Sequence, residues 1–265
     1  MDGWLVYAGL ALVLALWAGR QLMMRHQARR ATGDEQPPFP IPDRPEPVLR
    51  EAASQGDVGA MVELGELAVL RRDAAEALEW WTRALAAGSD LAAYRLGCLH
   101  HARGEADKAA PHYLRAARAG VPEAANDYAM FLFAQGDGSG HEWLRRAAES
   151  GDATAMYNLA VRAEGRGDLV EAERWSRRSA DAGNPKGAYA LGLLLHRRGD
   201  TEQAERWYLR AAEAQDRDAM YNLGNLLRER GELDGADHWY SRAARAGDAD
   251  AAHNLTLLRR RRYGR

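Results

Sequence analysis

The side chains of this sequence best suited to holding a metal ion are three histidines, His100, His101 and His112. Zinc sites built on helices need imidazoles that point at one ion from a common face. Adjacent residues of an α-helix point about 100 degrees apart, and no two histidines of the chain are spaced four residues apart. We therefore predict no metal site and interpret these histidines as surface or packing residues.

A run of glycines, Gly136, Gly138 and Gly140, has part of the spacing of a dinucleotide-binding loop. Such a loop connects a strand to a helix, whereas the residues before Gly136 have the pattern of a helix. The sequence also contains neither GxSxG nor GxxxxGK. We predict no cofactor, no catalytic residue and no enzymatic activity.

Many carboxylates stand just before predicted helices, as Asp73, Asp137, Asp168 and Asp200 do. A carboxylate at that position accepts hydrogen bonds from the first free amides of the helix and stabilises the positive end of its dipole. We expect these four residues to cap helices rather than to act as acids or bases.

Tyrosines and amides recur at one pair of positions and are the best candidates for binding a partner. The first position holds Val62, Tyr94, Asn126, Tyr157, Tyr189, Tyr221 and His253, and the second holds Glu63, Arg95, Asp127, Asn158, Ala190, Asn222 and Asn254. Amides bond to a peptide main chain, and tyrosine rings contact its side chains. We predict partner contacts from Tyr94, Arg95, Asn126, Tyr157, Asn158, Tyr189, Tyr221 and Asn222. The alternative is that the tyrosines pack between neighbouring repeats.

The elements that must position this column are helices of a repeat. One residue closes each unit, and the series is Gly56, Gly88, Gly120, Gly151, Gly183, Gln215 and Gly247, with spacings of 32, 32, 31, 32, 32 and 32 residues. A glycine after the last turn of a helix adopts the left-handed conformation without steric cost. A fixed period of this length indicates a repeat array.

Within each unit, apolar residues at helical spacing form two stripes separated by a turn, so the unit is a helix, a turn and a second helix. A small residue of the first helix, such as Gly224, should lie where it crosses an alanine of the second helix, such as Ala236. We expect Trp239, and the bulky residue at its position in other units, to fill the wide end of the pair. That column is Trp80, His112, Trp143, Trp175, Trp207 and Trp239.

Six full units from residue 57 to 247 stand between two half-units, which gives a repeat domain at residues 48–258 followed by a basic tail at residues 259–265. The half-units should act as caps, because terminal repeats need a solvated outer face. The predicted fold class is all-α, an α-solenoid of helix-turn-helix repeats.

Residues 51–258 hold 33 acidic and 25 basic side chains, whereas the tail holds five arginines. An acidic array makes binding of phosphates unfavourable, so we expect no nucleic acid partner, and an RNA-binding helical repeat is the weaker alternative. The tail either contacts anionic lipid or forms a solvated helix end. The single cysteine, Cys98, excludes an intrachain disulfide.

Residues 1–30 have the pattern of a transmembrane anchor with a basic flank. Residues 4–24 form a helix of roughly 31 Å, long enough to span a bilayer. Asp2 precedes the apolar run, whereas Arg20, Arg25, Arg29 and Arg30 follow it, which is the reverse of a cleaved signal peptide. We expect an uncleaved single-pass anchor in the cell membrane, with the N-terminus outside and the repeats in the cytoplasm.

Six of the nine prolines lie in residues 31–47, which therefore form no helix and act as a linker with extended backbone. A linker of this composition holds a domain away from the bilayer. The alternative is that PPFPIP is a docking ligand for an aromatic groove of another protein.

The segments AMYNLGNLL, WYSRAARAG and WYLRAAEAQ resemble the Sel1-like branch of the tetratricopeptide repeats. The resemblance covers residues 48–258 and implies a right-handed superhelix whose first helices line the concave face. Five of the six units have a short turn such as RRGDTEQA, and only Gly136 to Trp143 approaches the longer loop of Sel1-like units.

Together these observations predict a membrane-anchored, non-catalytic scaffold that presents a helical-repeat groove to a protein or peptide partner. A structural spacer or self-associating module is the alternative, and a homo-oligomer is compatible with both.

Overall fold

In a computed structural model, residues 44 to 263 are described, and this range contains fourteen α-helices and no strand. The chain forms two compact units that meet in sequence between Trp143 and Leu144. The helices of the first unit are α1 (Glu46–Ser54), α2 (Val58–Leu70), α3 (Ala74–Ala86), α4 (Asp90–Ala102), α5 (Ala106–Arg118) and α6 (Ala124–Ala134). Helix α7 (Gly140–Glu149) contains the boundary.

The second unit continues with α8 (Ala153–Gly165), α9 (Leu169–Asp181), α10 (Pro185–Arg198), α11 (Thr201–Glu213), α12 (Arg217–Glu229), α13 (Leu233–Arg245) and α14 (Ala249–Tyr263). The even-numbered helices are the first helices of the repeats and are called A helices; the odd-numbered ones are called B helices. The all-α class and the helix-turn-helix repeats are confirmed. The predicted right-handed superhelix concerns the chain as a whole and stays a prediction.

Helix α1 begins at Glu46, two residues before the predicted repeat boundary, and α14 continues through Arg259 to Tyr263, where we had expected the tail. None of the helices between residues 44 and 263 has the length and hydropathy needed to cross a bilayer. The anchor predicted at residues 4–24 and the linker up to residue 43 lie outside the described residues.

Short polar side chains start the helices. Asp73 accepts from the amides of Ala75 and Glu76, and Asp168 accepts from the amide of Glu171 at 2.9 Å, so both cap B helices as predicted. Asp200 stands at the same position but accepts no helix amide, because its carboxylate pairs with Arg198. Asp137 accepts from the amide of Ser139 in the turn before α7.

The unit-closing residues adopt the predicted left-handed backbone. The φ angle of Gly183, for example, is 87°. Three residues that are not glycine share this conformation: Glu123, with φ of 67°, before α6, and two residues in turns that elsewhere have glycine, Gln215, with φ of 66°, and Arg72, with φ of 64°. Side chains with a Cβ reach this region at a cost of roughly 1–2 kcal/mol, so these two turns are strained relative to the glycine turns.

The two helices of a repeat pack most closely where the A helix has a glycine. A Cβ added to Gly224 would lie 2.7 Å from the ring of Tyr240, and a Cβ added to Gly65 would lie 2.2 Å from Nε1 of Trp81. We expected Trp239 at the wide end of the pair and made no prediction for Tyr240, which is the residue that packs on Gly224. The residue after the tryptophan column faces the glycine, because adjacent residues of a helix point about 100 degrees apart.

The tryptophan column lies beside this contact and is covered by arginines. Trp175 is 3% exposed and Trp239 is 9% exposed, whereas Trp207 is only partly buried. The guanidinium group of Arg178 lies 4.4 Å from the centre of the Trp175 ring, and Arg242 lies 4.6 Å from that of Trp239. Trp175 and Trp239 therefore each pack into the core and also have a guanidinium group over the face of the ring.

Candidate functional site

The A helices of the first unit place Tyr94, Arg95 and Asn126 in a closed network. The Tyr94 hydroxyl donates to Oδ2 of Asp127 at 2.5 Å, and the Arg95 guanidinium donates twice to Oε1 of Glu66, at 3.0 and 2.7 Å. The side-chain amide of Asn126 donates to Oδ1 of Asp127. Tyr94, Asn126 and Glu66 are all less than 9% exposed, so this network is internal to the protein.

Burial controls the ionisation of this network. It raises the pKa of Glu66, against the opposing effect of Arg95, and it holds the pKa of Tyr94 far above its ordinary value. Burial also raises the pKa of the Cys98 thiol to about 12. The tyrosine and the thiol therefore remain neutral at physiological pH, and neither acts as a nucleophile there.

The second unit places the remaining predicted residues, Tyr157, Asn158, Tyr189, Tyr221 and Asn222, on α8, α10 and α12, and each is partly exposed. The Tyr189 hydroxyl accepts from Nδ2 of Asn222 at 3.2 Å. The Tyr221 hydroxyl accepts from Nδ2 of Asn254 at 3.4 Å. The column therefore links consecutive repeats through residues 33 apart, as Tyr94 and Asp127 also do in the first unit.

These contacts give the tyrosines a packing role, which was our alternative interpretation. Because the rings are partly exposed in the second unit, a packing role there leaves part of each side chain accessible to a ligand. The binding role of the eight predicted residues stays a prediction.

An open cavity of about 400 Å³ lies beside Tyr221 and Asn222 in the second unit. Its walls also include Asn225, Asn254, His196 and Arg228. Three side-chain amides thus face one space, together with the His196 imidazole and with Arg228 and Glu229, which pair with each other at 3.8 Å at the C-terminal end of α12. Groups of this kind bind the main chain and the acidic side chains of a peptide.

The hydrogen bonds of Asn225 fix how its amide is oriented. Its Oδ1 accepts from the Tyr240 hydroxyl at 2.6 Å and from Nδ2 of Asn254 at 3.4 Å. Both bonds use the carbonyl oxygen, so Nδ2 of Asn225 has no partner among the residues the structure describes. An amide whose orientation is fixed and whose N–H donors are free is well placed to donate a hydrogen bond to a backbone carbonyl of a ligand.

Acidic groups lie at the N-terminal ends of the same A helices. Burial raises the pKa of Asp216, Asp218 adds to that effect, and Lys186 opposes it. Burial and then these two aspartates raise the pKa of Tyr189 to about 12, so its phenol is neutral at physiological pH and remains able to donate a hydrogen bond. The A-helix face of this unit is therefore acidic at the edge that holds Asp216 and Asp218.

Sequence reasoning missed Asn225, His196 and Arg228. Asn225 follows Tyr221 by four residues, and both His196 and Arg228 follow a column tyrosine by seven. Residues at these spacings share one face of a helix, so the signal was present in the sequence.

The histidines serve packing and polar contacts. His100 bonds to Oε2 of Glu105 at 2.7 Å and stacks on His112, with ring centres 5.6 Å apart. Burial, followed by the neighbouring His100 and Arg115, lowers the pKa of His112. Across residues 44–263, no group of three or more histidines, cysteines or carboxylates is placed to hold a metal ion.

The family comparisons match both halves of the repeat array. The model described as Sel1 repeat matches residues 52–89, 90–121, 122–152 and 153–184. The model described as tetratricopeptide repeat matches residues 189–251. No curated protein matches the sequence.

Solved structures share the fold. A protective antigen of uropathogenic Escherichia coli strains with an SLR fold, c5321, is 26% identical with a TM-score of 0.66; the match covers 83% of this chain and 52% of that one. A Sel1 repeat protein from Oxalobacter formigenes is 24% identical with a TM-score of 0.61, covering 80% and 90% of the two chains. PilF of Pseudomonas aeruginosa is 17% identical with a TM-score of 0.61, covering 77% and 99%. The present chain thus spans about half the length of the first of these structures.

Proposed function

Because the chain belongs to the Sel1 repeat family, whose members are typically protein-interaction scaffolds, we propose that it is a non-catalytic adaptor that binds an extended segment of a protein partner. The binding surface is the A-helix face of the second unit, around the cavity beside Tyr221. The proposal extends to a membrane anchor at residues 4–24 that places the repeats in the cytoplasm.

The contrast between the two units supports this choice of surface. In the first unit, the column residues are satisfied by one another and buried. In the second unit, the same positions are partly exposed, and the free amide donors of Asn225 lie beside an open cavity, whereas Asn222 and Asn254 already donate to neighbouring residues. A ligand at the second unit therefore displaces water, whereas a ligand at the first would have to break buried hydrogen bonds at a cost of about 1–3 kcal/mol each.

The spacing of the tyrosines suits an extended chain. Tyr157, Tyr189 and Tyr221 occupy equivalent positions in three consecutive repeats. Packed helices lie about 8–10 Å apart, and an extended peptide rises roughly 3.3 Å per residue, so every third residue of the ligand meets the next tyrosine. Asn225 is then placed to bond the main chain between these contacts.

The experiment is site-specific photo-crosslinking of the full chain in the cells that produce it. A crosslinking side chain at Arg228, an exposed residue of the cavity wall, should capture a discrete partner, whereas one at Arg206, an exposed position on B helix α11, should not capture the same band. Adding Tyr189→Ala to the Arg228 variant should lower the yield about thirtyfold, the loss of roughly 2 kcal/mol expected for an aromatic anchor that the ligand buries.

Trp239→Ala is the control for stability, because Trp239 is 9% exposed and lies on B helix α13, in a different repeat from Tyr189. It should lower the melting temperature and leave the crosslink yield of the folded fraction unchanged. If Tyr189→Ala behaves in the same way, the tyrosine column only packs and the groove proposal is wrong.

Topology is tested separately by a reporter fused after Arg265. Cytoplasmic activity is expected, because basic residues flanking an apolar segment are retained on the cytoplasmic side. Activity of an export-dependent reporter at that position would contradict the proposed orientation.

A further inference from the structure

The B helices of the second unit carry a row of tryptophans and arginines that the proposed groove does not use. The guanidinium groups of Arg178, Arg210 and Arg242 lie 4.4, 5.3 and 4.6 Å from the ring centres of Trp175, Trp207 and Trp239, each three residues earlier. The guanidinium of Arg177 also lies 5.9 Å from the Trp207 ring, so the row is continuous from α9 to α11.

Three carboxylates of this face have cationic partners, whereas Glu202 and Glu213 of α11 are exposed and have no ion pair within the described part of the chain. Glu173 pairs with Arg198 at 2.6 Å and with Arg177 at 3.1 Å. Glu205 pairs with Arg230 at 2.7 Å, and Asp237 with Arg259 at 2.6 Å. Three of these partners, Arg198, Arg230 and Arg259, come from the ends of A helices. The charges of Glu173, Glu205 and Asp237 are therefore neutralised mainly by arginines outside the row.

Four arginines of the row are left without a carboxylate partner among the described residues. They are Arg174, Arg178, Arg206 and Arg242, here called the arginine stripe. Arg174 and Arg206 are exposed, and Arg178 and Arg242 are partly buried beneath the rings they stack on. Stacking uses the face of a guanidinium group and leaves its N–H donors, which lie in the plane, free for an anion.

Arg174 and Arg206 are specific to the second unit, whereas the position of Arg178 and Arg242 also has arginine in the first unit, where Arg83 lies 4.4 Å from the centre of the Trp80 ring. The positions of Arg174 and Arg206 are occupied by Glu79, Pro111 and Glu142 in the first three repeats. Residues 144–263 contain 21 basic and 19 acidic side chains, whereas residues 44–143 contain 10 and 15. The repeat framework therefore does not require arginine at this position, and stacking on tryptophan alone does not explain Arg174 or Arg206.

We propose that the arginine stripe is a docking surface for an anionic lipid bilayer, which it contacts through headgroup phosphates. Exposed arginines favour such a surface electrostatically, and the arginines flanking the proposed anchor would favour the same leaflet. Single-stranded nucleic acid fits less well, because its bases need exposed aromatic faces to stack on, and Trp175 and Trp239 are 3% and 9% exposed. Docking through B helices leaves the A-helix groove of this unit available for the partner.

The test measures the distance between the stripe and the bilayer in the full chain. A donor dye is attached to Gln203→Cys, an exposed position on α11, and acceptor dyes are placed on lipid headgroups of vesicles. Cys98 needs no replacement, because it is buried and its thiol pKa is raised to about 12. Energy transfer should be higher on equimolar phosphatidylglycerol and phosphatidylcholine than on phosphatidylcholine alone, and salt at 1 M should remove the difference.

The variant Arg174→Glu/Arg206→Glu should lower the ratio of docked to undocked protein at least about 25-fold, roughly fivefold per arginine. The control Arg260→Glu/Arg261→Glu changes the net charge equally on α14 and should have a much smaller effect. Both variants should melt like the parent, since none of these arginines has an ion-pair partner in the described part of the chain.

Three outcomes overturn the proposal. Equal energy transfer on neutral and anionic vesicles shows that the stripe does not dock. An equal loss in the α14 control assigns the effect to overall charge or to the basic end of the chain. Tight binding of single-stranded RNA that is lost in the stripe variant, with no response to anionic vesicles, identifies a nucleic-acid surface instead. None of these results depends on the groove, because no groove residue is changed.

Discussion

The contact between Gly65 and Trp81 gives a sharp test of how the helices of one repeat pack. A Cβ at residue 65 would lie 2.2 Å from Nε1 and 2.5 Å from Cδ1 of Trp81. The Trp81 ring is 2% exposed, and its Nε1 donates to the Val62 carbonyl at 3.2 Å. In Gly65→Ala the ring must therefore move within a packed core and lose that hydrogen bond.

The expected cost follows from three terms. Overpacking costs roughly 1–3 kcal/mol, and leaving the buried indole or carbonyl unsatisfied costs roughly 1–3 kcal/mol. Alanine in a helix gains about 1 kcal/mol over glycine. Gly65→Ala should lower the free energy of unfolding by roughly 1–5 kcal/mol, measured from urea unfolding of the full chain followed by circular dichroism.

Gly165→Ala is the matched control, because it adds the same methyl group to a helix where no heavy atom lies within 4 Å. It should stabilise by up to about 1 kcal/mol. A second check combines Gly65→Ala with Trp81→Leu, which copies the alanine and leucine of the third repeat, Ala129 and Leu144. The double variant should be more stable than the sum of the single effects by at least about 1 kcal/mol. Additive effects, or a stabilising Gly65→Ala, would refute the packing argument.

The strained turn, the tryptophan column and the buried aspartate each give one further expected outcome. Gln215→Gly should raise the free energy of unfolding by about 1 kcal/mol, and Gly183→Gln should lower it by a similar amount, in urea unfolding. Trp175→Ala should cost about 3–5 kcal/mol in the same assay, and Arg260→Ala less than about 0.5 kcal/mol. Asp216→Asn keeps an N-cap side chain and removes a carboxylate whose pKa burial raises. The charged form is disfavoured in the folded state, so the variant should be at least as stable as the parent at pH 7, and its advantage should shrink as pH falls towards 4; an advantage that grows on acidification contradicts the raised pKa.

The repeat period made most of the fold predictable from sequence. The closing glycines marked helix ends because only their backbone tolerates φ near 90°, and the small residues marked the helix crossings. The contact of Tyr240 with Gly224 was not predicted, because Trp239 and Tyr240 are both large and aromatic and helical periodicity alone does not show which of them faces the glycine. The sizes of the side chains at the two facing positions do identify the contact. Where the A helix has glycine, as at Gly224, the facing residue of the B helix is aromatic, and where it has Ala160 the facing residue is the small Ser176.

The candidate site was only partly predictable. The column of tyrosines follows from the period, but its chemistry depends on which side chain arrives from the next repeat. Asp127 closes over Tyr94 with a short hydrogen bond, whereas Asn222 reaches Tyr189 at 3.2 Å and leaves the ring partly exposed. Whether a column tyrosine is buried or partly exposed therefore depends on the residue 33 positions later, and the sequence around the tyrosine itself does not predict it.

The two units therefore use one framework for two purposes. In the first unit, charged and hydroxyl groups such as Glu66, Arg95 and Tyr94 satisfy one another in the interior, so that removing one partner would strand a buried charge at a cost of several kcal/mol. In the second unit, the same face has neutral amides such as Asn225, which lose little when they exchange water for a peptide carbonyl. A binding surface must be able to stay hydrated without a partner, and only the second unit meets that condition. Unpaired arginines on the B helices of that same unit form the second surface that we propose, so the two proposals together assign two ligands of different chemistry to different helices of one unit.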